Sequence, residues 1–417
     1  MHAGLCNWIR VLDIKKFWMV AVTGMGCVCS MSSQAQKAGS LSKAEPATSA
    51  EVLLAPRASA TIFFSGHSLT DNPLPEDVAR IARSLGTAMQ WNQQNIPGSS
   101  IERRTRGSIP LDAGWAGYRQ GKNRDGNGMD VVRELRQPKT LAAGRYDSLV
   151  ITEGHWLVDS LLKEETVRYL RHFHDRLIEG NPEGRTFFYS SWLDISDREN
   201  PGDWVAYERA AAPVWACVSA RINESLAAEG RKDRITPLPA ASALAELVES
   251  AMRTPGVPGL TGPTVAATID RLFKDDVHLT RLGIYYMALV TYAQVYGRSP
   301  QGAWAPPEVT GIQATALQDV AWSVVAPSLR TANNPDPKQC GAYLRESFCS
   351  TYHRYMRQAY WGNSRSTYYR GAVTARLKQW KDSMSCETAF DRSDRSNPFA
   401  PRRDDDRLHW FPAPQDK

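Results

Sequence analysis

No two cysteines in this chain form a Cys-x-x-Cys pair, so the four beyond residue 35, Cys217, Cys340, Cys349 and Cys386, lack the spacing of a structural zinc site. Dense basic runs with interleaved aromatics are missing ahead of the tail. The formal net charge of +6 is spread among interspersed acids, which fits solubility better than a nucleic-acid footprint, and no nucleic-acid partner is expected. There is also no apolar run of membrane length: the span from Phe17 to about Met31 is short and interrupted by Gly24 and Gly26. It follows Arg10, Lys15 and Lys16 and precedes Ser33-Gln34-Ala35, which reads as a secretory signal peptide over residues 1–35. Export to the periplasm or the extracellular space is then expected, without stable membrane insertion after cleavage; an uncleaved anchor is the alternative. Asp125, Asn127 and Asp130 hint at a calcium loop, but Arg136 stands where such a loop needs its closing glutamate. Neither a metal nor another cofactor is expected.

What is present is ample apolar material. Of the 417 residues 42% are hydrophobic, enough for a large core. Residues 36–57, rich in Ala, Ser, Lys and Pro, read as a flexible leader, with folding from near Ala58. From 58 to 330, short β-branched or aromatic runs alternate with helical periodicity, the pattern of a doubly wound α/β domain. The strands are read at Thr61–Phe64, Ala88–Asn92, Tyr146–Thr152, Arg185–Trp192 and Ile235–Leu238. Between them, helices are read from Pro75, over Lys163–Glu179, over Asp203–Glu229 with a bend or restart at Pro213, over Ala240–Met252 and over Thr280–Tyr296. His172 and His174, two apart on one helix, read as surface residues. The charged, glycine-rich stretch Glu102–Thr140 reads as an inserted loop. Residues 338–390 form a helical extension crowded with tyrosines, and 391–417 a disordered tail. In an oxidising compartment Cys340 pairs with Cys349, or either of them with Cys386, while Cys217 stays a buried thiol.

The chemistry is placed at Thr61-Ile62-Phe63-Phe64-Ser65-Gly66-His67-Ser68-Leu69, where a buried strand stops at a glycine and a serine follows two residues later. A serine on a strand-to-helix turn sits where open α/β sheets bind ligands, near free helix amides that favour developing negative charge. Its hydroxyl needs a base, and the base needs an orienting group. His278, with Asp275 three residues before it, supplies both from one loop. Either motif alone is frequent by chance; their order and the strands around them carry the weight.

Together, Gly66-His67-Ser68-Leu69 and Asp275-Asp276-Val277-His278 resemble the Gly-Asp-Ser-Leu and Asp-x-x-His blocks of the SGNH, or GDSL-type, serine hydrolase superfamily, over roughly Ala60 to Gly297. The resemblance implies a three-layer α/β/α sandwich with a five-stranded parallel sheet, flavodoxin-like, here with the C-terminal helical extension added. It implies Ser68 as nucleophile, His278 as general base and acid, and Asp275 as the residue orienting the histidine. For the oxyanion hole it implies the N–H of Ser68 and of Gly98. The third block, normally Gly-x-Asn-Asp, is Gly154-His155-Trp156 here; it lacks the asparagine, and His155 is the candidate donor in its place. Trp156 and Trp192 are candidate substrate contacts, with a core position the alternative for Trp192. The implied activity is cleavage of an acyl ester of a small molecule, carbohydrate or lipid through an acyl-enzyme. The alternatives are acyl transfer to an exported glycan and a degenerate binding module on the same fold.

Overall fold

The run ending at Gly66 is buried at six of its eight positions, which requires helices on both faces of the sheet it joins. In a computed structural model that describes residues 56–107, 114–139, 144–330, 335–361, 372–393 and 397–400, this strand, β1 (Ser59–Gly66), pairs in parallel with β2 (Ala88–Asn95) and β3 (Ser148–Thr152). Beyond β3 lie β4 (Arg185–Tyr189) and β5 (Ile235–Leu238), so the order across the sheet is β2-β1-β3-β4-β5, all parallel. The strand order reverses between β1 and β3, and at such a switch point the carboxyl ends of the strands leave a crevice. The described residues belong to one compact unit, Ala50–Lys417. The signal segment, the leader up to Ala55, Tyr368, Tyr369 and the tail beyond Ala400 lie outside them.

The helices follow from periodicity. In α1 (Leu74–Ser84), Val78, Ile81 and Ala82 are fully buried, and Gly86 at φ +72° closes the helix. α5 (Thr166–Gly180) and α6 (Gly202–Ala228) pack together, as do α1 and α9 (Arg281–Tyr296). Between them α7 (Ala240–Met252) touches both α6 and α9. Among the described residues no helix is long and apolar enough to cross a membrane.

Several expectations fail, each because of tertiary contacts. The stretch read as a loop from Glu102 is built from α2 (Ile101–Thr105), a 3-10 turn at Ala116–Arg119 and α3 (Val131–Arg136). This insertion covers α5, and His172 and His174 are buried instead of exposed. His172 stacks on Trp115 at 3.6 Å and meets the Tyr118 hydroxyl at 2.8 Å; His174 lies 2.7 Å from Asp233 and 2.8 Å from the Thr186 hydroxyl. β2 runs three residues further than expected. Its end is polar, yet Gln94 is satisfied by the Ser65 hydroxyl and by the carbonyls of Arg104, Gly117 and Gln120. Pro213 lies within one continuous helix. A short helix, α4 (Leu157–Leu162), precedes α5. Packing already begins at Arg57, whose guanidinium pairs with Asp147 at 2.6 Å.

Beyond β5 come α8 (Val265–Leu272), α9, α10 (Gly311–Ser328), α11 (Pro337–Tyr343), α12 (Cys349–Met356) and α13 (Ala372–Asp391). Cys217 is not free: it is bonded to Cys340, 123 residues away, and Cys349 is bonded to Cys386. Spacing along the chain could not show that α6 brings Cys217 against α11. Asn397, Phe399 and Ala400, expected in the disordered tail, are buried, with Phe399 6.1 Å from Phe390.

Burial, and then the nearby arginines, hold the His172 imidazole down to about 2, so it is neutral in the native protein. In the unfolded chain it protonates near the usual ~6.5. A depressed native value gives stability that is complete above the unfolded value and is lost as pH falls. Going from pH 7 to pH 5, His172 alone should remove about 2 kcal/mol. Urea unfolding of the wild type and of His172→Gln at both values should show the difference between them shifting by that amount in the variant's favour. A constant difference would refute the buried neutral assignment.

Candidate active site

Gly66 ends β1, and the chain turns at once. The Thr70 N–H donates to the His67 carbonyl at 2.9 Å, closing the turn that carries Ser68. A β-carbon on Gly66 would stand 1.8 Å from Thr70 Oγ1, so this turn requires glycine. His67 points inward and is fully buried. Its Nε2 lies 2.9 Å from the Glu153 carbonyl, which can only accept, so the proton is on Nε2 and Nδ1 accepts the Leu69 N–H at 3.4 Å. Burial, then His155 and Arg104, hold this imidazole well below its ordinary value. With Asn95 Nδ2 donating to the His67 carbonyl at 3.0 Å, the ends of β1, β2 and β3 are tied together.

The histidine lies 210 residues away, in the loop between α8 and α9. Phe273 and Leu279 pair across the base of this loop, and Lys274 N–H donates to the His278 carbonyl at 2.8 Å. Asp275 Oδ1 accepts the N–H groups of Val277 at 3.0 Å and His278 at 2.7 Å. The segment after β4 holds the loop from the other side: Trp192 Nε1–H donates to the Val277 carbonyl at 2.9 Å, and Ile195 N–H to the Asp276 carbonyl at 2.7 Å.

The result is a row of three side chains. His278 Nδ1 lies 2.9 Å from Asp275 Oδ2, and His278 Nε2 lies 2.9 Å from Ser68 Oγ. A carboxylate only accepts, so the imidazole proton sits on Nδ1 and Nε2 presents its lone pair to the serine hydroxyl. Burial pushes the Asp275 carboxyl up, but the backbone N–H groups of His278 and Val277, followed by the imidazole, outweigh this and hold it below the ordinary value. The side chains of His278 and Asp275 are 40% and 49% exposed, so a substrate can reach them. A bidentate ion pair between Arg281 and the buried Asp77 joins α9, just after the histidine, to α1, just after the serine.

The candidate oxyanion donors divide. The N–H groups of Ser68 and Gly98 make no hydrogen bond among the described residues. Gly98 has φ +63°, and its turn is anchored beside β1 by Ile96 N–H donating to the Gly66 carbonyl at 3.0 Å. His155 does not fit the expectation. Its Nδ1 lies 2.8 Å from the Trp192 carbonyl and must carry the proton. Burial lowers its pKa against the opposing pull of the Trp192 hydrogen bond, so the neutral ring turns a bare Nε2, an acceptor, to its surroundings. The Gly154 N–H is also taken, by Glu153 Oε1 at 2.7 Å. Trp192 is fully buried, so it holds the histidine loop and does not wall a pocket. Trp156 is 51% exposed, at the carboxyl end of β3.

Beneath the site lies a buried pair that no motif signalled. Arg104 bonds the Ser65 hydroxyl at 3.1 Å, the Ser99 carbonyl at 2.7 Å, the Ser99 hydroxyl at 2.8 Å and the Thr152 carbonyl. Glu153 Oε1 accepts the Ile101 N–H at 2.9 Å, while its other oxygen has no partner among the described residues. Burial lifts Glu153 to about 7 against the pull of Arg104 and lowers Arg104 to about 10. Arg104 thus braces the Gly98 turn through Ser99 and the end of β3 through Thr152.

No family model matches the chain, and no curated protein does. Among solved structures it is similar to a DUF4886 family protein from Bacteroides uniformis, with a TM-score of 0.44 and 14% identity over 66% of this chain and 98% of that one. It is also similar to a carbohydrate esterase family 2 enzyme with a carbohydrate-binding domain from Corynascus thermopiles (Myceliophthora fergusii). There the TM-score is 0.28 and the identity 14%, over 59% of this chain and 69% of that one. Both likenesses are too slight to bear on function.

Proposed function

We propose that this protein is an exported serine hydrolase that cleaves acyl esters through Ser68, His278 and Asp275. The observation that carries this is the unbroken row from Ser68 Oγ through the imidazole to a depressed carboxylate, at the carboxyl end of β1. Ser68 Oγ attacks the ester carbonyl carbon while His278 Nε2 takes the hydroxyl proton, and Asp275 balances the imidazolium. The tetrahedral oxygen forms within reach of the free N–H groups of Ser68 and Gly98. Its collapse breaks the ester C–O bond, the leaving alkoxide takes the proton from Nε2, and the acyl group remains on Ser68. Water then attacks the acyl carbon, giving its proton to His278; the acid leaves and Oγ recovers the proton. The two disulfides support an oxidising compartment.

The test is turnover of p-nitrophenyl acetate, with covalent labelling of Ser68 by a fluorophosphonate. A purified, folded protein that does neither would end the proposal. The holding role of Trp192 gives a second, smaller effect. Trp192→Phe keeps the aromatic ring but leaves the Val277 carbonyl without its donor, which should cost about 1–3 kcal/mol in urea unfolding. It should lower kcat several-fold with KM nearly unchanged, because the histidine loses its brace while the substrate contacts stay. An unchanged kcat would separate Trp192 from the histidine.

A further inference from the structure

Trp156 is the one large hydrophobic side chain among the described residues that is both more than half exposed and next to the site. Its indole does not swing freely. It meets Tyr360 edge-on at 6.0 Å. A half-exposed indole packed on one neighbouring ring offers a ligand its flat face, which attracts C–H groups and cations.

Tyr360 comes from the C-terminal helical segment, and that segment is fastened around the site. The Tyr360 phenol accepts the Asp194 N–H at 3.3 Å, Tyr355 donates to the Asp194 carbonyl at 2.6 Å, and Tyr352 reaches Asp159 at 3.2 Å. The Cys217–Cys340 disulfide fixes the start of the same segment to α6. Polar groups flank the indole. Asp194 lies in the field of His155, Asp275 and Asp276, and the bare Nε2 of His155 makes no hydrogen bond among the described residues. These are acceptors, which suits a partner bearing several O–H or N–H donors, and the three carboxylates repel an anionic one.

From this arrangement we infer that Trp156, Tyr360 and Asp194 form a subsite for the alcohol portion of the ester, shaped for a neutral or amino-substituted pyranose ring stacked on the indole. The C-terminal helical segment thus supplies one wall of the cleft. The inference rests on the ester-hydrolase proposal and narrows its substrate to O-acylated sugars without acidic groups.

The experiment compares two esters on the full-length exported protein. Ethyl acetate has an alcohol portion too small to stack on the indole, whereas a mono-O-acetylated methyl glucopyranoside offers a ring. Trp156→Ala and Tyr360→Ala should raise KM for the acetylated glucoside at least tenfold and leave kcat/KM for ethyl acetate within about twofold. An acetylated methyl glucuronide should be hydrolysed at least tenfold more slowly than the glucoside, and Asp194→Asn should narrow that gap. Equal losses on both esters, or no loss on either, would overturn the subsite. So would wild-type protein that cleaves p-nitrophenyl acetate but not the acetylated glucoside. The ester-hydrolase proposal fails separately, if Ser68→Ala keeps wild-type activity on p-nitrophenyl acetate.

Discussion

Ser68→Ala protein is expected to hydrolyse p-nitrophenyl acetate at least 10⁴-fold more slowly than wild type while folding normally. The magnitude follows from what the hydroxyl does: without Oγ no acyl-enzyme forms, and the polarised imidazole has nothing to deprotonate except water. Losing a nucleophile or its base from such a row costs about 10⁴- to 10⁶-fold in kcat, and the losses do not add. His278→Ala should therefore fall to the same floor, and the double variant no lower. Ser68 lies on the surface of its turn and its hydroxyl bonds only His278 among the described residues, so the alanine should leave stability unchanged. Gly98 provides the contrasting case, because its proposed contribution is an amide that substitution cannot delete. Gly98→Ala strains a turn at φ +63° and should cost about 10²- to 10³-fold if it displaces that donor. Stopped assays on urea-matched, folded protein check all three, and a Ser68→Ala variant within tenfold of wild type would remove the nucleophile.

Arg104→Met should be the most destabilising single change near the site. It leaves the Ser99 and Thr152 carbonyls without their donor and Glu153 without its cation, and breaking a buried charge arrangement from one side typically costs about 3–5 kcal/mol. Part of that cost should depend on pH. Glu153 stands near 7 already, and without Arg104 its native value rises further. A carboxyl raised above its unfolded value gives stability that is complete below the unfolded value and lost as pH rises through the native one. The variant should therefore be weakest at pH 8 to 9 and recover toward pH 6, where Glu153 takes up a proton and no longer needs the cation. Adding Glu153→Gln should recover part of the loss at pH 8 and little at pH 6, a coupling that a double-mutant cycle by urea unfolding reads directly. A loss below about 1 kcal/mol, or one that does not change with pH, would mean that the pair does not brace the site as described.

Much of this was written in local pattern. The apolar run stopping at Gly66, the helix from Val78 to Ala82 and the unbroken periodicity of α7 need only neighbouring residues, since a strand or helix buries one face or another at a period set by the backbone itself. Ser68, Asp275 and His278 could be named for the same reason, as two short motifs each on its own turn. Local pattern failed wherever the partner came from far along the chain. His172 and His174 look like surface residues until the segment around Trp115 and Tyr118 folds over them. The last three residues of β2, Gln93, Gln94 and Asn95, are amides left outside the expected strand, and Ser65 and the inserted segment satisfy Gln94. His155 has the right composition for an oxyanion donor, and only the Trp192 carbonyl decides that its proton faces the other way. The sequence by itself determined the order of the elements and named Ser68, Asp275 and His278 as candidates for the site. The tertiary structure alone decided which of them meet, which are neutral and which cysteines pair, because burial and hydrogen bonding depend on groups that only the folded chain brings within reach.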